Sequence, residues 1–417
     1  MKFVSTMALG VALALGGAAI VGVAPAVAKE KAEKPAKAKS YNLSKPVREA
    51  VAAAQAALAK GDAATAQASV STALAAATTP DDKYVASSVQ YEIAAKSNDQ
   101  AKISDAVDGM LASGVAPADQ QVQLYAVQGK LAYNAKNMAK SEQALQQAVT
   151  LGTTDPDVYA LLVEAKARAG KPAEAITMLE TSIAKQKAAG QKVPSEWYGR
   201  GIAIAYGAKL PNETERLTQA WLADYPASNN WRDSLITYRD LHKLDADYNL
   251  DLMRLMRTAK ALKGERDYSE YAEAVYLKYP GEGKSVLDEG VAAGMVKLTA
   301  GSNFKFMSDQ AGGRVAADKA DLASASKAAK ASATGKSAAA TADSYLGYGD
   351  YASAIDLYNV ALQKGGVDAN TINTRLGMAL AKAGRKDEAK AAFAKITGPR
   401  ASLAKYWMIY LDAPAAA

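Results

Sequence analysis

The chain of 417 residues contains no cysteine and one histidine, His242. Without cysteine there is no disulfide, no thiol nucleophile and no thiolate-ligated metal. One histidine cannot build a multi-histidine metal site, and it rules out the usual His-carboxylate catalysis. Aromatic residues are scarce, 7% of the chain, and a β-sandwich or barrel would want more of them, with more Val, Ile and Thr. Beyond the first residues no run of eighteen apolar residues occurs, so no transmembrane helix is expected in the mature chain. What the sequence has instead is alanine, within a hydrophobic share of 49%. Ala-rich chains with few bulky side chains favour helices that pack closely.

The opening residues, "MKFVSTMALGVALALGGAAIVGVAPAVAKE", place Lys2 before an apolar stretch from Met7 to Val23. Ala26-Val27-Ala28 follows as a small-x-small cleavage site, so residues 1–28 read as a secretory signal peptide and the mature chain is expected to start at Lys29. An exported chain without disulfides points to a bacterial envelope, with the periplasm as the expected location. The net charge of +7 is concentrated at this end. Lys2 carries one charge, and residues 29–40, with five Lys and two Glu, carry three more. The remaining +3 is spread over everything from Tyr41 onward, so no nucleic-acid-binding face is indicated and 29–40 reads as a basic flexible linker.

The mature sequence repeats itself. Ala354, Tyr358, Ala361 and Leu362 share one helical face, and Ala389, Phe393 and Ile396 repeat it 35 residues later. The same face recurs at Ala66, Val70, Ala73 and Leu74; at Ile103, Val107, Met110 and Leu111; and at Ser141, Leu145, Ala148 and Val149. It returns at Ala175, Leu179, Ser182 and Ile183, and more weakly at Leu217, Ala220 and Trp221. Short turns at Gly61, Lys136, Gly170, Gly349 and Gly384 precede five of these faces. Neighbouring copies stand 34 to 38 residues apart, the period of a helical-hairpin solenoid.

These residues resemble the tetratricopeptide repeat (TPR) family. Gly349, Tyr351, Ala354, Tyr358 and Ala361 fit its pattern, as do Leu376, Gly377, Gly384, Ala389 and Phe393. Tyr159, Leu162, Gly170, Ala175 and Leu179 fit with an aliphatic in the aromatic position, and Tyr125 with Gly129 fits in the unit before. The resemblance implies an all-α superhelical solenoid of TPR-like hairpins. The expected organisation is an N-terminal array over 41–300, regular to about 225 and degenerate after, and an Ala/Ser/Lys-rich joint or weak hairpin over 301–334. A C-terminal pair of hairpins with a capping helix then fills 335–417. In the middle, a helix break is expected near Leu244-Asp245, Pro280 is expected to open a helix, and Leu287, Val291, Gly294 and Met295 are expected to share a face.

No catalytic motif survives inspection. "PGEGKS" ending at Ser285 and "ATGKS" ending at Ser337 lack the leading Gly of a phosphate-binding loop, holding Lys278 and Lys330 there. The Ser-x-x-Lys pairs at Ser324 and Ser402 lack their partner motifs. The chain is therefore read as a non-enzyme with no cofactor and no metal. The TPR resemblance implies binding of a peptide or partner protein on the concave face of the first helices. That face would hold Lys130, Tyr133 and Asn134, then Glu164 and Arg168, then Tyr198, Ile202 and Tyr206. The family's clamp for C-terminal carboxylates is not expected, because Ala126 with Lys130 and Ala160 with Glu164 lack its Lys and Asn pair. The expected function is a periplasmic protein-interaction scaffold, in envelope assembly or secretion; the alternative is a non-protein envelope ligand such as a glycan strand.

Overall fold

A computed structural model describes residues 40–413, so the expected signal peptide and nearly all of the basic linker lie outside the described residues. Its unit of construction is one turn, which closes seven of its helical hairpins. At Gly61, Asn98, Lys136, Gly170, Lys209, Gly349 and Gly384 the chain takes a left-handed conformation, with φ between 53° and 84°. Each of these residues donates its amide to the carbonyl three residues back, and the next residue donates to the carbonyl five back. This pairing satisfies the orphan carbonyls at a helix end and aims the chain into the following helix. In four copies the residue after the turn is Asp62, Asp99, Asn137 or Asp350, whose side chain caps that helix by accepting from a backbone amide. One residue thus closes one helix and opens the next.

The described residues up to 188 form one compact unit of four hairpins. They are α1 (Lys45–Ala59) with α2 (Ala63–Ala76), α3 (Pro80–Ser97) with α4 (Gln100–Ala112), α5 (Ala118–Asn134) with α6 (Met138–Thr150), and α7 (Pro156–Arg168) with α8 (Pro172–Ala188). The second-helix faces read from the sequence are buried here: Ala66, Val70 and Ala73; Ile103, Val107 and Met110; Leu145 and Ala148; Ala175, Leu179 and Ile183. Close crossing explains Gly129. A Cβ there would sit 2.4 Å from Leu145, and its carbonyl accepts from the Ser141 hydroxyl at 2.9 Å.

Residues 189–417 form the second compact unit. It opens with α9 (Ser195–Gly207) and α10 (Pro211–Asp224), then α11 (Ser228–Leu241) and α12 (Ala246–Thr258), the break falling at 242–245 as the sequence suggests. Next come α13 (Glu265–Val275) and α14 (Pro280–Ala292), with Pro280 in the first turn of α14. The segment expected to be a joint or weak hairpin is one helix of 29 residues, α15 (Asn303–Ala331). Alanine outweighs its Gly312-Gly313 pair in helix propensity, and Phe304, Met307 and Ala311 anchor its first turns. The unit ends with α16 (Lys336–Tyr348), α17 (Tyr351–Lys364), α18 (Ala369–Lys382), α19 (Lys386–Phe393), a 3-10 turn at Gly398–Arg400, and α20 (Ala401–Asp412). Gly377 of α18 reproduces Gly129, since a Cβ there would meet the Phe393 ring at 2.5 Å.

One expected face is corrected. Val291 and Met295 are exposed, because the chain turns away at Gly294; α14 instead buries Val286, Leu287 and Gly290, the last against Tyr268 and Val296.

The second unit folds back on itself. α20 packs on α10, where the Tyr406 and Thr218 hydroxyls lie 2.8 Å apart, and α18 meets α12. Tyr248 of α12 donates to the Pro399 carbonyl at 2.8 Å. These links join segments about 150 to 190 residues apart in sequence, so the end of the chain closes the interior as well as covering the last hairpin. All twenty α-helices of the described residues belong to this all-α, TPR-like hairpin fold, and no strand occurs among them.

Candidate functional site

The anticipated groove residues divide between the two units. In the first, α5 and α7 lie side by side as first helices of successive hairpins. They bring together Lys130, Tyr133, Asn134, Glu164 and Arg168. The Arg168 guanidinium lies 5.4 Å from the centre of the Tyr133 ring and donates to Glu164 at 2.7 Å. Lys130 reaches Asp155, the cap of α7, at 3.0 Å. Glu164 and the Tyr133 ring hold the Arg168 charge, raising its pKa, while its side chain stays 57% exposed. The result is a surface patch in which a half-buried aromatic ring, packed on one side against the core of the first unit, meets a cation, with exposed Asn134 next to it in the chain.

The α9 residues do not form one stripe. Tyr206 is 44% exposed and Ile202 half-buried, but Tyr198 is fully buried and is not a groove residue. The start of α9 lies beneath the α10–α11 connection. There Tyr198 donates its hydroxyl to Asp224 and meets the Tyr225 ring edge-on at 6.3 Å, and the Tyr225 hydroxyl closes the corner on the Val193 carbonyl. Three positions four residues apart share a helical face yet lie at different depths, because the helix crosses its neighbour at an angle.

The second unit holds a feature that the sequence did not reveal: a buried cluster of three arginines and three carboxylates. Asp251 of α12, fully buried, accepts from Arg254 at 2.9 Å, Arg375 of α18 at 3.1 Å and Arg400 at 2.7 Å. Arg254 also makes a two-point pair with Glu282 of α14, at 2.9 and 2.7 Å. Asp343 of α16 accepts from Arg375 at 2.7 Å, Tyr279 at 3.0 Å and Tyr358 at 2.6 Å, and Tyr271 donates to Glu282 at 2.7 Å. Burial would raise the Glu282 pKa, but Arg254 and the Tyr271 hydroxyl outweigh it and hold the carboxyl below its ordinary range. Three charges of each sign cancel, and the cluster ties α12, α14, α16 and α18 to the C-terminal turn. Its partners are too far apart in sequence to betray themselves by spacing.

Beside this cluster lies a cleft of about 550 Å³, lined from α12, α14, α15, α16, α18 and α20. Its glycines do not cradle phosphate. Gly281 lies under the Tyr348 ring, with no room for a Cβ, and Gly283 packs against the Tyr276 backbone. The "PGEGKS" glycines therefore serve close helix crossings. Three of the cleft's basic residues are paired with its carboxylates: Arg254 with Glu282, Arg257 with Glu289 at 2.7 Å, and Lys284 with Asp288.

No family model matches the chain, and no match was found among curated proteins. Distant likenesses among solved structures are to helical-repeat proteins. A structure of Naa15/Naa10 bound to HypK-THB matches at 14% identity with a TM-score of 0.29, over 86% of this chain and 65% of that one. The pentatricopeptide repeat protein PPR10 from maize matches at 14% and 0.32, over 87% and 62%. Yeast Tom70 matches at 9% and 0.23, over 88% of both chains. This chain thus spans less than two thirds of the length of the first two. The fold assignment rests on the repeated turn and the hairpin packing described above.

Proposed function

We propose that this chain is a non-catalytic, exported scaffold that binds a protein partner on the α5–α7 face of its first unit. The supporting observation is the pairing of Arg168 with Tyr133 on adjacent first helices, flanked by Lys130 and Asn134. Arg and Tyr are the side chains that anchor interfaces, because each offers a large rigid face with polar ends. The reading of 1–28 as a signal peptide supports the periplasm as the place of action. No constellation of nucleophile, base and oxyanion donors accompanies the surface, so binding is the chemistry these residues can perform.

A photo-crosslinker at exposed Asn134 tests the face, with exposed Gln147 on α6 as control. Specific adducts in the cell envelope are expected from position 134, absent from 147, and lost when Arg168 and Tyr133 are both changed to Ala. Adducts of equal yield from both positions, or none from 134, refute the assignment. Sedimentation with isolated cell wall that persists in the double variant would favour the glycan alternative.

A further inference from the structure

The charges lining the second unit's cleft do not balance. Five basic residues and three carboxylates line it, and the three pairs already described consume all the acids. Lys319 of α15 and Lys382 of α18 remain, both exposed on the cleft wall and neither in an ion pair. Lys319 rests over the Tyr348 ring, 5.1 Å from its centre. Desolvation of the ammonium along the cleft wall and the neighbouring Arg257 charge, only partly offset by Glu289, hold Lys382 below its ordinary pKa.

We infer that the cleft binds a small doubly charged anion, a phosphate monoester or a dicarboxylate, held by Lys319 and Lys382. The volume lies within the range of small-molecule sites. Val315, Leu346 and Met378 supply an apolar wall for the ligand's body, so a bare inorganic ion would leave part of the cleft unfilled. This site lies within the second unit and does not depend on the α5–α7 reading.

Calorimetric titration of the full mature chain with phenyl phosphate, and separately with succinate, tests the inference. Phenol and succinamide serve as uncharged controls. Saturable millimolar or tighter binding is expected for at least one dianion and for neither control. Binding of one dianion alone identifies which of the two groups the cleft prefers. The paired change Lys319→Gln and Lys382→Gln replaces exposed side chains, so the melting temperature should hold while affinity falls at least about tenfold. The Arg168→Ala variant should bind the dianion as the unaltered chain does, which separates this test from that of the first unit. Absence of saturable dianion binding, equal binding of an uncharged control, or a loss below tenfold in the paired variant overturns the proposal.

Discussion

Asp251→Asn is a nearly isosteric change that removes one charge from the most buried point of the second unit. In the unaltered chain Asp251 serves three guanidinium groups, but they depend on it unequally. Arg254 keeps Glu282 and Arg375 keeps Asp343; Arg400 has no other carboxylate in ion-pair contact, only the more distant Asp368. The substitution therefore strands one arginine, itself buried, over the Tyr248 ring at 4.8 Å. Removing one partner of a buried ion pair costs about 3–5 kcal/mol, mostly the penalty of the charge left behind. With a urea m-value of about 3 kcal/mol per molar, the second unit's midpoint should fall by at least about 1 M. Asp108→Asn is the control. It breaks the Lys140 pair in the first unit, whose side chains are over a third exposed, and should cost about 0–1 kcal/mol. If stranding Arg400 is the cause, adding Arg400→Met to Asp251→Asn should recover part of the loss, because both partners are then gone. Urea unfolding followed by circular dichroism reads all four proteins. A loss for Asp251→Asn no larger than for Asp108→Asn, or no recovery in the double variant, would refute the reasoning.

Three further outcomes follow from the packing. Gly377→Ala should destabilise by about 1–3 kcal/mol, because its Cβ meets the Phe393 ring, whereas Gly313→Ala, mid-helix with open space around it, should stabilise by about 0.5–1 kcal/mol; thermal melts decide both. Tyr198→Ala should cost about 3–5 kcal/mol as a core deletion, and Tyr206→Ala should stay within about 0.5 kcal/mol, a contrast that equal denaturant midpoints would disprove. Glu282 has a folded pKa below its unfolded value near 4.3, so its share of stability is whole above about pH 4.3 and is lost as pH falls through the folded value. Glu282→Gln should accordingly be less stable at neutral pH and show a shallower acid limb; a parallel limb in pH-dependent unfolding contradicts this.

The hairpins were legible because their causes are local. A left-handed turn residue, a capping Asp or Asn and an apolar face at offsets of three and four all lie within about 15 residues, and the period then confirms each copy. Even Lys136, a poor residue for positive φ, could be placed, because the phase around it left one position for the turn. Gly129 and Gly377 were legible for the same reason, each lying in phase with the face it crosses. Tyr198 was misplaced because a helical face tells direction and not depth. Only the crossing of α9 beneath Tyr225 decides that the first of three aligned residues is covered.

Charge was the illegible part, and the reason bears on function. On an isolated helix Asp251 and Arg254 read as an ordinary surface pair three residues apart, and Arg375 and Arg400 as ordinary solvated cations. They become interior only when α18 and the C-terminal turn come back upon α12, a closure that no pattern of period 34 encodes. Closure brings paired charge together between α12, α14, α16 and α18 and leaves a cleft beside it. The first unit shows no comparable return: its helices pack chiefly on their neighbours in sequence, and α5 packs on α7 as the next first helix. The fold thus presents two different surfaces, the α5–α7 face proposed for a protein partner and the cleft proposed for a small anion. The two are therefore expected to respond differently. Substitutions at Tyr133 and Arg168 should affect partner capture, and those at Lys319 and Lys382 should not.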